Sequence, residues 1–102
     1  MIIKQLSKSE MISSSPDAWQ LLSDNSVDII KLVMKPGEEI ETHKNPLKVI
    51  FLVSKGIGYF HVDRGIHEIK ENSCILVEPE LERAWKNQSD HDLEIFVIKF
   101  KA

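Results

Sequence analysis

The chain carries one cysteine, Cys74, so an internal disulfide is excluded. Its place in the apolar run Cys74-Ile75-Leu76-Val77, with no base or helix start nearby to lower its pKa, predicts a buried structural thiol. An excess of positive charge is also missing. Thirteen Lys and Arg stand against sixteen Asp and Glu, for a formal net charge of −3, which is not the footprint of a phosphate-backbone binder. Long apolar runs are absent too: Val49 to Val53, five residues, compares with the roughly 20 that a membrane span requires. Neither nucleic acid nor a membrane is therefore expected as a partner. The N-terminus turns polar at Lys4, too early for the apolar segment of a signal peptide, so a cytoplasmic location is expected. What remains is an ordinary globular composition, 42% hydrophobic and 28% charged over 102 residues, the size of one domain spanning 1–102.

Turn-forming residues recur along the chain with short β-branched runs between them, the rhythm of an all-β sandwich or barrel. The runs predict strands at Ile2–Leu6, Trp19–Leu22, Val27–Met34, Glu39–His43, Leu47–Val53, Gly58–Val62, Ile66–Lys70, Cys74–Val77, Arg83–Lys86 and Leu93–Phe100. Pro36-Gly37 suits the centre of a type II turn, Lys55-Gly56 and Asp63-Arg64-Gly65 suit hairpins, and Asn72 tolerates a left-handed backbone. Tight turns between neighbours imply antiparallel pairing. Ser15-Pro16-Asp17 reads as a helix start, but the run after it is too short for a stable helix, and a strand from Trp19 is favoured. Ser7 to Ser15 is polar and is expected to be a loose arm or to lie across a partner subunit.

One spacing stands out within this frame. Gly37, His43, Asn45, Val49 and Gly56 fall in the register G(X)5HXH(X)3E(X)6G, and Asn72, Glu78, Glu80, Arg83 and Asn87 in the register G(X)5PXG(X)2H(X)3N. These are the two cupin motifs, and the chain resembles the small single-domain cupins of the cupin 2 conserved-barrel type from about Val27 to Phe100. Both glycines and the first histidine of the first motif match, and the final Asn87 of the second. The resemblance implies a double-stranded β-helix, or jelly roll, commonly a homodimer. It does not imply one reaction, because the fold hosts oxygenases, isomerases, decarboxylases, regulatory sugar-binding domains and storage proteins.

The departures carry the chemistry. Metal-binding cupins converge two histidines and a glutamate of the first motif and a histidine of the second on one divalent ion. Carried over by position, those places hold His43, Asn45, Val49 and Arg83. An amide is a weak neutral ligand, valine is none, and a guanidinium is cationic, so no metal and no other cofactor is expected. Arg83, Trp85 and Asn87 share parity on one strand, as do Leu47, Val49, Phe51 and Val53 on another. The implied cavity is an apolar and aromatic barrel mouth holding one guanidinium, one imidazole and one amide. Its candidate ligand-binding residues are His43, Asn45, Val49, Phe51, Arg83 and Trp85, and its ligand a small polar or anionic molecule. Arg83 has an alternative, to reach solvent or pair with Glu78, Glu80 or Glu82. His43 is either a core histidine bonded to Asn45 or a backbone carbonyl, or a pocket donor or general base; Glu41, on the same predicted strand face, is a possible orienting acid.

His61 and His67 flank Asp63-Arg64-Gly65 and are placed to face one another across that hairpin, most simply in solvent; His91, in the turn Ser89-Asp90-His91-Asp92, is expected to be exposed. Two functional classes stay open, with a third beside them. One is a metal-free binding barrel. Another is an enzyme, either an isomerase or lyase with His43 as acid–base or a metal-dependent oxygenase using other ligands. The third is a barrel that only dimerises. A DNA-linked regulator is disfavoured, since no helix-turn-helix segment accompanies the barrel. An apolar N-terminal run, Ile2-Ile3, is placed to cover the sheet edge of a second copy in a homodimer.

Overall fold

The computed structural model describes residues 1–101. After a single 3-10 turn at Leu6–Lys8 come ten strands: β1 Glu10–Ser14, β2 Asp17–Ser23, β3 Val27–Met34, β4 Glu39–His43, β5 Lys48–Lys55, β6 Gly58–Val62, β7 Gly65–Ile69, β8 Ser73–Val77, β9 Arg83–Lys86 and β10 Leu93–Phe100. They form a six-stranded sheet in the order β1-β2-β3-β10-β5-β8 and a four-stranded sheet in the order β4-β9-β6-β7, with every pairing antiparallel. Only β1–β2, β2–β3 and β6–β7 are hairpins. Each of the other connections carries the chain to the opposite sheet, which winds the double-stranded β-helix. No helix among the described residues is long and apolar enough to cross a membrane.

Inward-pointing residues at period two along the central strands fill the space between the sheets. Leu93, Ile95 and Val97 of β10, Val49, Phe51 and Val53 of β5, and Ile30, Leu32 and Met34 of β3 are buried, while the residues between them face the other side of the sheet, where Lys31 is also buried, against Glu94 and Phe96. Phe60 and Trp85 close the core from the smaller sheet. Asn87, the identical residue of the second motif, is buried as a clasp and not as part of any binding surface. Its Nδ2 donates to the carbonyls of Met34 (2.9 Å) and His91 (2.8 Å), and its Oδ1 accepts from the Ser89 amide and hydroxyl.

Several expectations are corrected. Ile2–Leu6 is not a strand; the first strand is β1, within the stretch read as a loose arm. Every side chain of β1 is exposed, so no hydrophobic alternation announced it, and its backbone pairing with β2 alone defines it. Ser15-Pro16 starts no helix but forms the two-residue turn between Ser14 and Asp17, which pair. Pro36-Gly37 does make the expected turn, with Glu38 N–H bonded to the Lys35 carbonyl at 3.0 Å and Gly37 at φ 84°. Lys55-Gly56 closes no hairpin, because β5 and β6 belong to different sheets. A Cβ on Gly56 would lie 2.6 Å from the carbonyl oxygen of Asp92, so the crossover passes against backbone. Cys74 is exposed, since β8 turns Ile75 and Val77 inward and Cys74 and Leu76 outward. His61 and His67 do not face one another: His67 pairs with Phe60 and His61 with Ile66, which places them on opposite faces of the hairpin. His91 is exposed as expected.

The second motif keeps its backbone where it has lost its glycines. Asn72 and Glu80 occupy the two glycine positions and adopt φ 64° and 68°, the left-handed region. Asparagine bears this readily, whereas glutamate pays about 1–2 kcal/mol there. Glu80→Gly should therefore raise stability by up to about 1 kcal/mol, after the roughly 0.5–1 kcal/mol entropy cost of glycine, while Gly56→Ala should lower it. Urea denaturation of the two variants checks both signs.

Candidate functional site

Between the sheets lies a cavity of about 200 Å³, with His43, Asn45, Val49, Phe51, Arg83 and Trp85 all on its wall. Strand parity brings Val49 and Phe51 there from β5, and Arg83 and Trp85 from β9. His43 arrives by a different device. In the β4–β9 ladder Ile40 pairs with Trp85 and His43 with Arg83, so β4 spends three steps where β9 spends two. The extra residue is a bulge, and it moves His43 onto the face that Ile40 occupies. Glu41 is thereby removed from that face as an orienting carboxylate. Its backbone carbonyl orients the ring instead, 2.9 Å from His43 Nδ1. A carbonyl only accepts, so Nδ1 carries the proton and Nε2 is the free acceptor of the neutral ring. His43 is exposed at the mouth and is not a core histidine.

Arg83 is the unusual member. It is 1% exposed, and none of Glu78, Glu80 or Glu82 lies within ion-pair distance of it; among the described residues these three make one ion pair, the surface contact of Glu80 with Lys44. Its Nη1 donates to the carbonyl of Leu81 at 3.0 Å, and its Nε is buried without a partner. Burial pushes the guanidinium below its ordinary pKa. Beside it, Trp85 meets Phe51 edge-on, with ring centroids 5.5 Å apart, and Phe60 at 5.0 Å. The indole Nε1 is also buried without a partner. Both orphaned atoms are obligate donors, and no acceptor of the protein reaches either.

This donor set does not fit a divalent metal. Of the four motif positions, Val49 has no donor atom and Arg83 is a cation. Asn45 Oδ1, a weak neutral ligand, already accepts from the Leu47 amide at 2.8 Å, so His43 Nε2 is the one strong ligand atom. Among the described residues no three His, Cys, Asp or Glu side chains are grouped as a metal site.

Beyond the six candidates the wall includes the apolar Ala18, Ile30, Leu32, Ile40 and Val97, and two residues of more consequence, Ile12 and Lys99. Ile12 sits at the β1 bulge, between the pairs Met11–Trp19 and Ser13–Ala18, and the bulge brings it to the cavity. No apolar pattern marks it. Lys99 also lines the cavity, on the inward parity of Leu93, Ile95 and Val97, and that alternation was available as a signal.

Comparison with known proteins agrees with this architecture. The family model for the cupin domain matches residues 31–99. A predicted oxalate decarboxylase from Thermotoga maritima superposes with a TM-score of 0.85 at 19% identity, over 97% of this chain and 98% of that one. An RmlC-like cupin family protein with a double-stranded β-helix fold from Methanocaldococcus jannaschii gives 0.82 at 20% identity, over 98% and 90%. The polyketide cyclase RemF from Streptomyces resistomycificus gives 0.87 at 11%, over 100% and 80%. These likenesses concern the fold. No curated protein matches the sequence.

A buried charge without a counter-charge costs several kcal/mol, whereas the one hydrogen bond Arg83 makes is worth about 1.5–3 kcal/mol. Replacing it by methionine, which keeps the apolar stem, should leave the ligand-free protein as stable as wild type or more so. Differential scanning calorimetry checks this, and a fall in Tm of more than a few degrees would show that the guanidinium is held by more than Leu81.

Proposed function

The chain belongs to the cupin domain family, and from that premise we propose that its barrel binds a small organic acid at Arg83 in place of a metal ion. One observation carries this reading: a guanidinium almost wholly removed from water, with no carboxylate partner, on the wall of an open cavity. A guanidinium fork matches a carboxylate bidentately, and the apolar surroundings of Trp85 and Phe51 strengthen that contact. Asn45, its Oδ1 occupied by Leu47, has its amide hydrogens to offer, and His43 stands across the ladder from Arg83. At about 200 Å³ the cavity falls below the roughly 300–1,000 Å³ of pockets for drug-sized ligands, which favours a compact metabolite.

A catalytic version of this reading draws on the free Nε2 of His43. With Nδ1 tied to the Glu41 carbonyl, Nε2 is oriented to take a proton from an acid anchored at Arg83, as an isomerase or lyase requires. The exposed thiol of Cys74 suits the reducing cytoplasm, where it stays free.

The acting unit in this proposal is a homodimer. Ile2 and Ile3 are 72% and 73% exposed ahead of the edge strand β1, and Leu52 and Leu76 are exposed on the outer face of the six-stranded sheet beside half-buried Ile50, Phe96 and Ile98. A second copy related by a two-fold axis covers such surface with the same surface. Sedimentation at roughly tens of micromolar, where only a weak dimer would dissociate, should give twice the chain mass, with Ile2→Ser/Ile3→Ser shifted toward monomer; a monomeric wild type would exclude the dimer.

Calorimetric titration with small carboxylates tests the site. Loss of one charge-assisted anchor should weaken binding about ten- to a hundredfold in Arg83→Ala, with Arg83→Lys between it and wild type because the charge stays and the fork is lost. Equal affinity in all three proteins, or no binding by wild type, would defeat the proposal.

A further inference from the structure

Arg83 is not the only cation on the cavity wall. Lys99 lines it from β10, across the ladder from Val49, which also lines it, and from Asp28. Asp28 is the acid nearest along the ladder, and it is already committed. Its Oδ1 takes Lys101 Nζ at 2.8 Å, Ser23 Oγ at 2.6 Å and Gln20 Nε2 at 3.2 Å; the Lys101 and Ser23 hydrogen bonds, helped by the charges of Lys101 and Lys99, hold its carboxyl below its ordinary pKa. Among the described residues neither Lys99 nor Arg83 has a carboxylate within 4.0 Å. No Asp or Glu lines the cavity at all. A chain of net charge −3 thus lines a small open cavity, among the described residues, with formal charges that are all positive.

The two cations come from opposite sheets, Arg83 from the four-stranded and Lys99 from the six-stranded. Stacked sheets lie about 10 Å apart, so charges rooted in opposite walls suit two separated anionic groups better than one. The volume, roughly seven waters, leaves room for only a short spacer between those groups. Resting on the acid-binding reading above, we infer that the ligand is a short-chain dicarboxylate, with one carboxylate on the Arg83 fork and the other at the Lys99 ammonium. Arg83 anchors the acid, and Lys99 sets its class by selecting the second charge.

Isothermal titration at fixed ionic strength with butanedioate, butanoate and inorganic phosphate separates these roles. Wild type should bind butanedioate at least about tenfold more tightly than butanoate, and phosphate weakly. Lys99→Met should lose that preference while keeping the butanoate affinity, and Lys99→Arg should retain it. Arg83→Met should lose both acids. Lys99 is only half-buried, so its variants are expected to fold, and their circular dichroism confirms it. Equal affinity of wild type for the two acids, a preference that survives in Lys99→Met, or phosphate bound more tightly than butanedioate would overturn the dicarboxylate assignment while leaving the Arg83 site standing. Binding of neither acid by wild type would remove both.

Discussion

A guanidinium taken out of water must find an opposite charge, a set of acceptors, or a large compensating gain elsewhere, and Arg83 has only the carbonyl of Leu81. The gain lies in the packing around it. Trp85, Phe51 and Phe60 contact one another with ring centroids between 5.0 and 5.8 Å, and the buried aliphatic rows of β3, β5 and β10 supply the rest of the core. That apolar mass holds Arg83 in place because β9 has no freedom to turn: its parity is fixed by Trp85 on one side and by ladders to β4 and β6 on both edges. The energetic debt at Arg83 is therefore a property of the folded barrel, and a ligand carboxylate is the group that would settle it.

Bulges decide which polar side chains accompany it. The extra residue in β4 puts His43 beside Arg83, and the one in β1 brings Ile12 to the mouth from a strand otherwise exposed along its length. Strict alternation would have placed Ile40 and His43 on opposite faces. A one-residue irregularity at a sheet edge thus re-aims a single side chain without disturbing the ladder around it.

The same distinction explains what the sequence made legible. Regular alternation in β5 and β10 leaves a period-two signature, which marked Val49 and Phe51, while the register of the second motif marked Arg83 and, by parity, Trp85; all four are buried. Glycine at 37 and 56 and asparagine at 72 marked bends that are present, although the bend at Gly56 leads across sheets and not back along one. Features that leave no periodic trace were lost: β1, all of whose side chains are exposed; the β4 bulge, which removed Glu41 from the face of His43; and the outward turn of Cys74, since an apolar run on an edge strand reads alike from either face. Lys99 is a different case. Its parity with Val97 was legible, but a lysine near a strand end reads as solvent-facing unless the closure of the opposite sheet over it is known.

The barrel keeps the backbone of its family and exchanges the chemistry inside it. Left-handed residues stand at Asn72 and Glu80, while the motif positions that converge between the sheets hold His43, Asn45, Val49 and Arg83, a set with a guanidinium and no carboxylate. The most direct measurement is a nitrogen-15 correlation spectrum that follows the Arg83 Nε–H and the two indole N–H signals as butanedioate is added. The account predicts that Arg83 Nε–H and Trp85 Nε1–H move together and saturate, while the indole of Trp19, on the outer face of the six-stranded sheet, stays fixed. Equal movement of both indoles, or no movement of the Arg83 signal at saturating acid, would contradict it.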